Sequence, residues 1–336
     1  MQPATGRAVQ LRGVGVLWRP GAVPDSAGYR EIAALGLNSV RLVLDMLDFD
    51  GDRSAETLAS LDRHLDAAER EGLWVILMMG RIPGAQFVPR TTQPYDYSIW
   101  RDTARQVALR RVWRRLATHV SSRVRVAGLS LFLEPVTEGS VEQWHRLSAV
   151  LQREIRAAAP RHLLLVESAA GEFRTRRELT GIELPVERAY PSLVDRNAAW
   201  EFYAFELDDY THQFAPWRPE PSLQRARTYP DSTRIVRLVD GSGSARAFVF
   251  DRHYLAAHLD RHVAWATRQR RPLVLWGFGT ASRTFTPDLG GASWVQDMRA
   301  LAEERGLHWG YWMFDTGYYG IRARPELELL RIAPSR

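Results

Sequence analysis

The chain has 336 residues, 45% of them hydrophobic, with a net charge of +6 and a pI near 9.9. It contains no Cys and every one of its 45 basic residues is Arg, which excludes disulfides, thiolate chemistry and a lysine Schiff base. No apolar run is long enough to cross a bilayer, and the first twenty residues lack a charged start followed by an apolar core, so the expectation is a cytoplasmic protein with no membrane partner.

In chain order, short apolar runs rich in Val, Ile and Leu alternate with amphipathic stretches. The runs predict strands at 11–16, 39–44, 74–78, 126–132, 162–166, 201–205, 272–275 and 309–313. The clearest helical stretches between them are 27–35, 55–71, 99–121, 141–158, 254–268 and 293–305; the one expected between the fifth and sixth strands is poorly marked. Strands of this kind alternating with helices imply a parallel sheet, and eight of them imply closure into an α/β (β/α)8 TIM barrel. No linker divides the chain, which predicts a single domain over 1–336. The connection from 208 to 249 is too long for a simple loop and is expected to fold over the barrel mouth. The densest basic stretch is helical and interleaves Arg with apolar residues, so it reads as a solvated face; with no binding motif beside it, no nucleic-acid partner is expected.

In such a barrel the site is built just past the carboxyl ends of the strands. That rule selects Asp45, Gly80, Glu134, Glu167, Glu206, Asp208, Gly277 and Asp315, with Tyr210, Trp276, Trp312, Tyr318 and Tyr319 supplying aromatic walls. His258 and His262 have the four-residue spacing that can hold a metal, but no HExxH glutamate accompanies them, so they read as surface histidines. No metal and no cofactor are expected.

Several motifs, in order, resemble family 5 glycoside hydrolases of the cellulase and mannanase type. They are Leu-Arg-Gly-Val-Gly at 11–15, Gly-Leu-Asn-Ser-Val-Arg at 36–41, Gly-Leu-Trp-Val-Ile-Leu at 72–77, the fourth strand ending Phe-Leu-Glu-Pro at 132–135, and Trp-Gly-Tyr-Trp at 309–312. The resemblance implies that Glu134 is the acid/base and that Arg41 would hold the nucleophile. The departures are as informative. Leu133 stands where the family has Asn, Gly80 where it has a strand-three His, and Gly277 where it has the nucleophilic Glu. The sixth-strand pattern Phe-His-x-Tyr is matched to Phe205, Glu206, Leu207 and Asp208.

Retaining hydrolysis needs two carboxyl groups about 5 Å apart, and Gly277 supplies none. Arg41 is then expected to pair with Asp45, Glu134 or Glu206, and the two glycines are expected to leave open space. Leu133 should desolvate Glu134 and favour its neutral form. The catalytic candidates are Glu134, Glu206 and Asp208; the substrate-binding candidates are Arg41, Asp45, Tyr210, His212, Trp276, Trp312 and Asp315. The leading expectation is a repurposed enzyme using acid/base chemistry (cyclisation, ring opening, dehydration or hydrolysis) on a small non-glycan substrate, such as one of secondary metabolism. The alternatives are a glycosidase of atypical mechanism acting on a β-glycan and a non-catalytic carbohydrate-binding barrel. The sequence leaves the oligomeric state open.

Overall fold

A computed structural model describes residues 8–22, 25–51, 54–85, 96–173, 184–218, 221–239, 244–315 and 317–332. In chain order the elements are β1 (Arg12–Leu17), α1 (Ser26–Ala34), β2 (Ser39–Asp45), α2 (Met46–Phe49), α3 (Ser54–Arg70), β3 (Trp74–Arg81), α4 (Thr103–Val120), β4 (Val126–Ser130), β5 (Val136–Glu138), α5 (Glu142–Ala158), β6 (Leu163–Glu167), β7 (Gly171–Phe173), α6 (Val186–Ala189), β8 (Ala198–Phe202), α7 (Asp208–Thr211), β9 (Asp231–Val239), β10 (Ala245–Phe250), α8 (Arg252–Arg268), β11 (Leu273–Phe278), α9 (Gly291–Glu304) and β12 (His308–Tyr311). Eight strands pair in parallel and close into a barrel in the order β1-β12-β11-β8-β6-β4-β3-β2. The barrel is the TIM barrel that the strand–helix alternation implied.

Local chemistry sets the boundaries. Asp102 accepts from the amides of Ala104 and Arg105 and starts α4; Asp251 does the same for His253 and Tyr254 at α8. After α1 the chain turns at Gly36, whose φ of +77° costs a glycine little. On α5 the residues Trp144, Leu147, Ser148, Leu151, Gln152 and Ile155 are buried, a mainly apolar stripe of helical period. The strands are buried on both faces, which is why they read as continuous apolar runs.

Inside the barrel the side chains form layers. A lower apolar layer holds Leu11, Trp74, Ile76, Leu165, Ala199, Val274 and Trp276. Above it lies a polar group around Arg41, Ser130 and Glu201, all fully buried. Val43, Met78 and Met313 form a small apolar cluster against Leu133 and Trp312 at the mouth.

Two expectations are corrected. The sixth barrel strand ends at Phe202 and not at Phe205, because Trp200, Glu201 and Phe202 take the register opposite Leu273, Val274 and Leu275. The connection after it is also not a uniform cover. Its first part, through α7 to Arg218, borders the mouth, whereas β9 and β10 form an antiparallel hairpin that packs on α8 with Phe248 against Tyr254. Between the fifth and sixth barrel strands, where the weakly marked helix was expected, the described residues hold the short α6, and residues 174–183 and 240–243 lie outside the described residues.

Candidate active site

Arg41, at the middle of β2, has no exposed surface. Such a cation needs a partner, and it finds Glu201 of β8, whose two carboxylate oxygens lie 2.9 and 2.8 Å from Nη2. Arg41 also donates to Ser130 Oγ, to the Trp276 carbonyl at 2.8 Å and to the Tyr203 hydroxyl at 2.9 Å. Ser130 in turn donates to Glu201. The expected partners Asp45, Glu134 and Glu206 are thus all corrected to Glu201.

The expected open space is absent at Gly277, while Gly80 lines an open cavity even though its own Cβ direction is taken by Val43. A Cβ on Gly277 would overlap ring carbons of Tyr203, and a Cβ on Gly80 would overlap Val43. Tyr203 therefore lies over the seventh barrel strand where a longer side chain at 277 would stand, and its hydroxyl reaches Arg41. The phenol is pushed well above its usual value by burial and by the nearby carboxylates, so it stays protonated.

Glu134 follows the fourth barrel strand with φ +46°, a left-handed conformation that a non-glycine residue adopts at a cost of about 1–3 kcal/mol. Its amide donates to Glu167 Oε1 at 2.9 Å. Burial raises the Glu134 carboxyl above its ordinary value; the charges of His212 and Arg218 oppose that, and that of Asp208 adds to it. Glu167, at the end of β6, is pushed well above the ordinary carboxylate range by burial and by the charges of Glu201 and Glu134. Burial raises Glu201 as well, but the charge and hydrogen bonds of Arg41 counter it there.

Within electrostatic reach of Glu134 is a group from α7 and the segment after it. His212 Nδ1 lies 3.0 Å from Asp208 Oδ1, and Arg218 donates to both Asp208 oxygens at 2.9 Å. A carboxylate only accepts, so Nδ1 carries the hydrogen and Nε2 is left with the lone pair in the neutral ring. Burial would raise the Asp208 carboxyl, but His212 and Arg218 together hold it down to about 2. The walls are aromatic: Phe205 and Tyr319 contact His212 with ring centroids 5.5 and 5.7 Å away, and Trp217 packs on Tyr318 at 4.5 Å. Trp312 meets Tyr203 at 5.8 Å and borders an open cavity of about 1500 Å³ that runs over β1, β2 and β3, with Asp45, Arg81 and Leu133 in its lining.

The structure thus brings Glu134, Asp208 and His212 together, with Asp45 and Trp312 on the adjoining cavity wall. Four other candidates stand elsewhere. Glu206 turns toward the helix layer, where its Oε1 is 3.1 Å from His258 Nε2. Tyr210 is fully buried behind the mouth and donates to the Leu289 carbonyl. Trp276 is packed in the lower barrel layer beneath Arg41. Asp315 is exposed, within electrostatic reach of Asp25 and Arg322. Asp45 accepts from the Leu47 amide and from Arg81 at 2.9 Å, so its carboxylate is already engaged. His258 and His262 are not free surface histidines: α8 buries His258 and half-buries His262, which stacks on Phe202 at 4.4 Å, and burial lowers both. Among the described residues no group of three or more His, Asp or Glu is arranged to hold a metal ion.

The sequence profile described as cellulase (glycosyl hydrolase family 5) matches residues 3–317.

The chain belongs to glycosyl hydrolase family 5.

Solved structures agree with this family 5 fold. An endoglucanase is 17% identical, with 95% of this chain and 96% of that one covered and a TM-score of 0.72. Endoglucanase Cel5A from the hyperthermophilic Thermotoga maritima is 17% identical over 96% and 97%, with a TM-score of 0.73. The cellulose synthase subunit Z from Clostridioides difficile is 16% identical over 96% and 98%, with a TM-score of 0.71. No curated protein sequence matches the chain. The sixth-strand motif of family 5 also needs re-siting. With β8 ending at Phe202, the residues just past the sixth barrel strand are Tyr203, Ala204 and Phe205, three earlier than the Glu206, Leu207 and Asp208 expected there. Glu201, Tyr203 and Arg218 are the residues that sequence reasoning missed. A lone Glu inside an apolar strand was the available signal for the first.

Proposed function

We propose that this family 5 barrel is an enzyme that carries out acid/base chemistry on a small non-glycan molecule, as in secondary metabolism, without forming a glycosyl-enzyme intermediate. The observation that carries the reading is the Tyr203 ring lying over Gly277 with its hydroxyl on Arg41. Retaining hydrolysis requires a second carboxylate about 5 Å from the acid/base. In its place stands a phenol that burial keeps protonated, and a protonated phenol is a poor nucleophile.

What remains is a pair of groups with divided roles. Glu134, raised by burial, holds a proton to give. His212, oriented by Asp208, presents Nε2 to take one. Two such groups in unlike surroundings serve reactions in which one atom of the substrate is protonated as another loses a proton: ring closure, ring opening, dehydration or hydrolysis. Asp208 orients His212 in this reading and is not itself the base, since Arg218 and His212 occupy both its oxygens. Trp312, Tyr319 and Trp217 supply flat walls for a substrate with an apolar ring.

The test is Glu134→Gln, assayed on whichever member of a panel of lactones, cyclic ethers and hydroxy acids the wild-type protein converts. We expect kcat to fall by about 10²-fold or more. Unchanged turnover removes Glu134 from the chemistry. A second reading, hydrolysis of a β-glycan by an atypical route, is favoured by the open cavity of about 1500 Å³ beside Trp312. Release of sugar from β-glucans, mannans or aryl glycosides would select it.

A further inference from the structure

We propose that Glu167 is a positioning residue for Glu134, an uncharged carboxylic acid whose Oε1 holds the Glu134 backbone in its left-handed turn; the inference rests on the role given to Glu134 above. Glu167 is 2% exposed. Its Oε1 accepts the Glu134 amide at 2.9 Å, and its Oε2 is buried with no hydrogen-bond partner among the described residues. Its own carbonyl accepts from Trp144 Nε1 at 2.9 Å, so α5 anchors the end of β6 from behind.

The charge balance identifies the protonation state. Glu201 and Glu134 both act on Glu167, and the cation acting on it is Arg41. Arg41 spends its contacts on Glu201, Ser130, Tyr203 and the Trp276 carbonyl, so among the described residues Glu167 has no salt bridge of its own. An ionised carboxylate buried beside two others without a cation is far costlier than the neutral acid. Because Oε1 is the acceptor for the Glu134 amide, the hydrogen belongs on Oε2. Tyr190, the other titratable group acting with Glu167, is fully buried and protonated and adds no charge.

A neutral Glu167 serves Glu134 twice. It satisfies the amide of a residue whose backbone the chain would otherwise relax, and so fixes where the Glu134 carboxyl points. It does so without a negative charge that would raise the Glu134 carboxyl further and make it too reluctant to release its proton.

The test needs no substrate, so its failure is distinct from failure of the acid role of Glu134. Infrared difference spectra of wild type against Glu167→Gln at neutral pH should show loss of one protonated-carboxyl band. Amide hydrogen exchange at Glu134 should stay close to wild type in Glu167→Gln, whose amide oxygen still accepts, and quicken about tenfold or more in Glu167→Leu. The Leu133 amide, which donates to the Met79 carbonyl, should be unchanged in both and reports that the barrel is intact. If no protonated-carboxyl band is lost, or if Glu167→Leu leaves exchange at Glu134 as it was, the proposal is overturned.

Discussion

His262 ties the outer helix to the barrel wall through chemistry that depends on pH. Burial and then the charge of Arg261 lower it from 6.5 to about 3, and His258 is lowered well below 6.5 by burial, His262 and Arg261. Between those values the unfolded chain binds a proton at each histidine that the folded chain refuses. Their contribution is therefore complete above about pH 6.5 and is lost as the pH falls toward 3. Unfolding free energy measured by denaturant titration should fall on acidification from pH 7 to 5, by at most about 1.4 kcal/mol per pH unit for each histidine. His262→Gln, which keeps a partner for the Tyr190 hydroxyl, should reduce that slope by one proton's worth. At this scale the sequence was legible where a motif fixed the frame. Glu134 was found because it ends an apolar strand before Pro135. Tyr203 and Glu201 were not, because 198–202 and 201–205 are both short apolar-aromatic stretches, and only hydrogen bonding to the neighbouring strands decides between them. The histidines were misread as exposed because a polar residue at helical spacing looks the same whether its face meets water or aromatic rings.

Between elements, the Arg41–Glu201 contact joins β2 to β8 across the barrel interior, with Ser130 of β4 bridging them. Removing one member strands the other charge in a fully buried site, which costs about 3–5 kcal/mol. Glu201→Leu should accordingly lower the melting temperature strongly, and Arg41→Met added to it should recover much of the loss, since two apolar groups need no partners. Thermal unfolding of the single and double variants measures this. The long helices and the barrel strands were readable because burial imposes their period on ten or more residues. The hairpin of β9 and β10 was not, since its strands are largely exposed and carry no such alternation. Its packing on α8 follows from Phe248 and Phe250 meeting Tyr254, contacts between distant parts of the chain.

For the whole molecule, eight alternations of strand and helix made the closed barrel legible, while the chemistry of its mouth depended on which side chain fills which space. Intact-mass measurement after incubation with activated 2-deoxy-2-fluoro glycosides should find no covalent sugar on the protein; an added glycosyl mass on any residue would contradict the proposed chemistry. Gly277 on β11 and Tyr203, just past the end of the neighbouring β8, share a single volume. A carboxylate cannot enter at 277 while the ring is there, and removing the ring first leaves an empty pocket and a guanidinium short of one contact. A longer side chain at 277 therefore requires a second change at Tyr203, and the two positions are coupled through that one space.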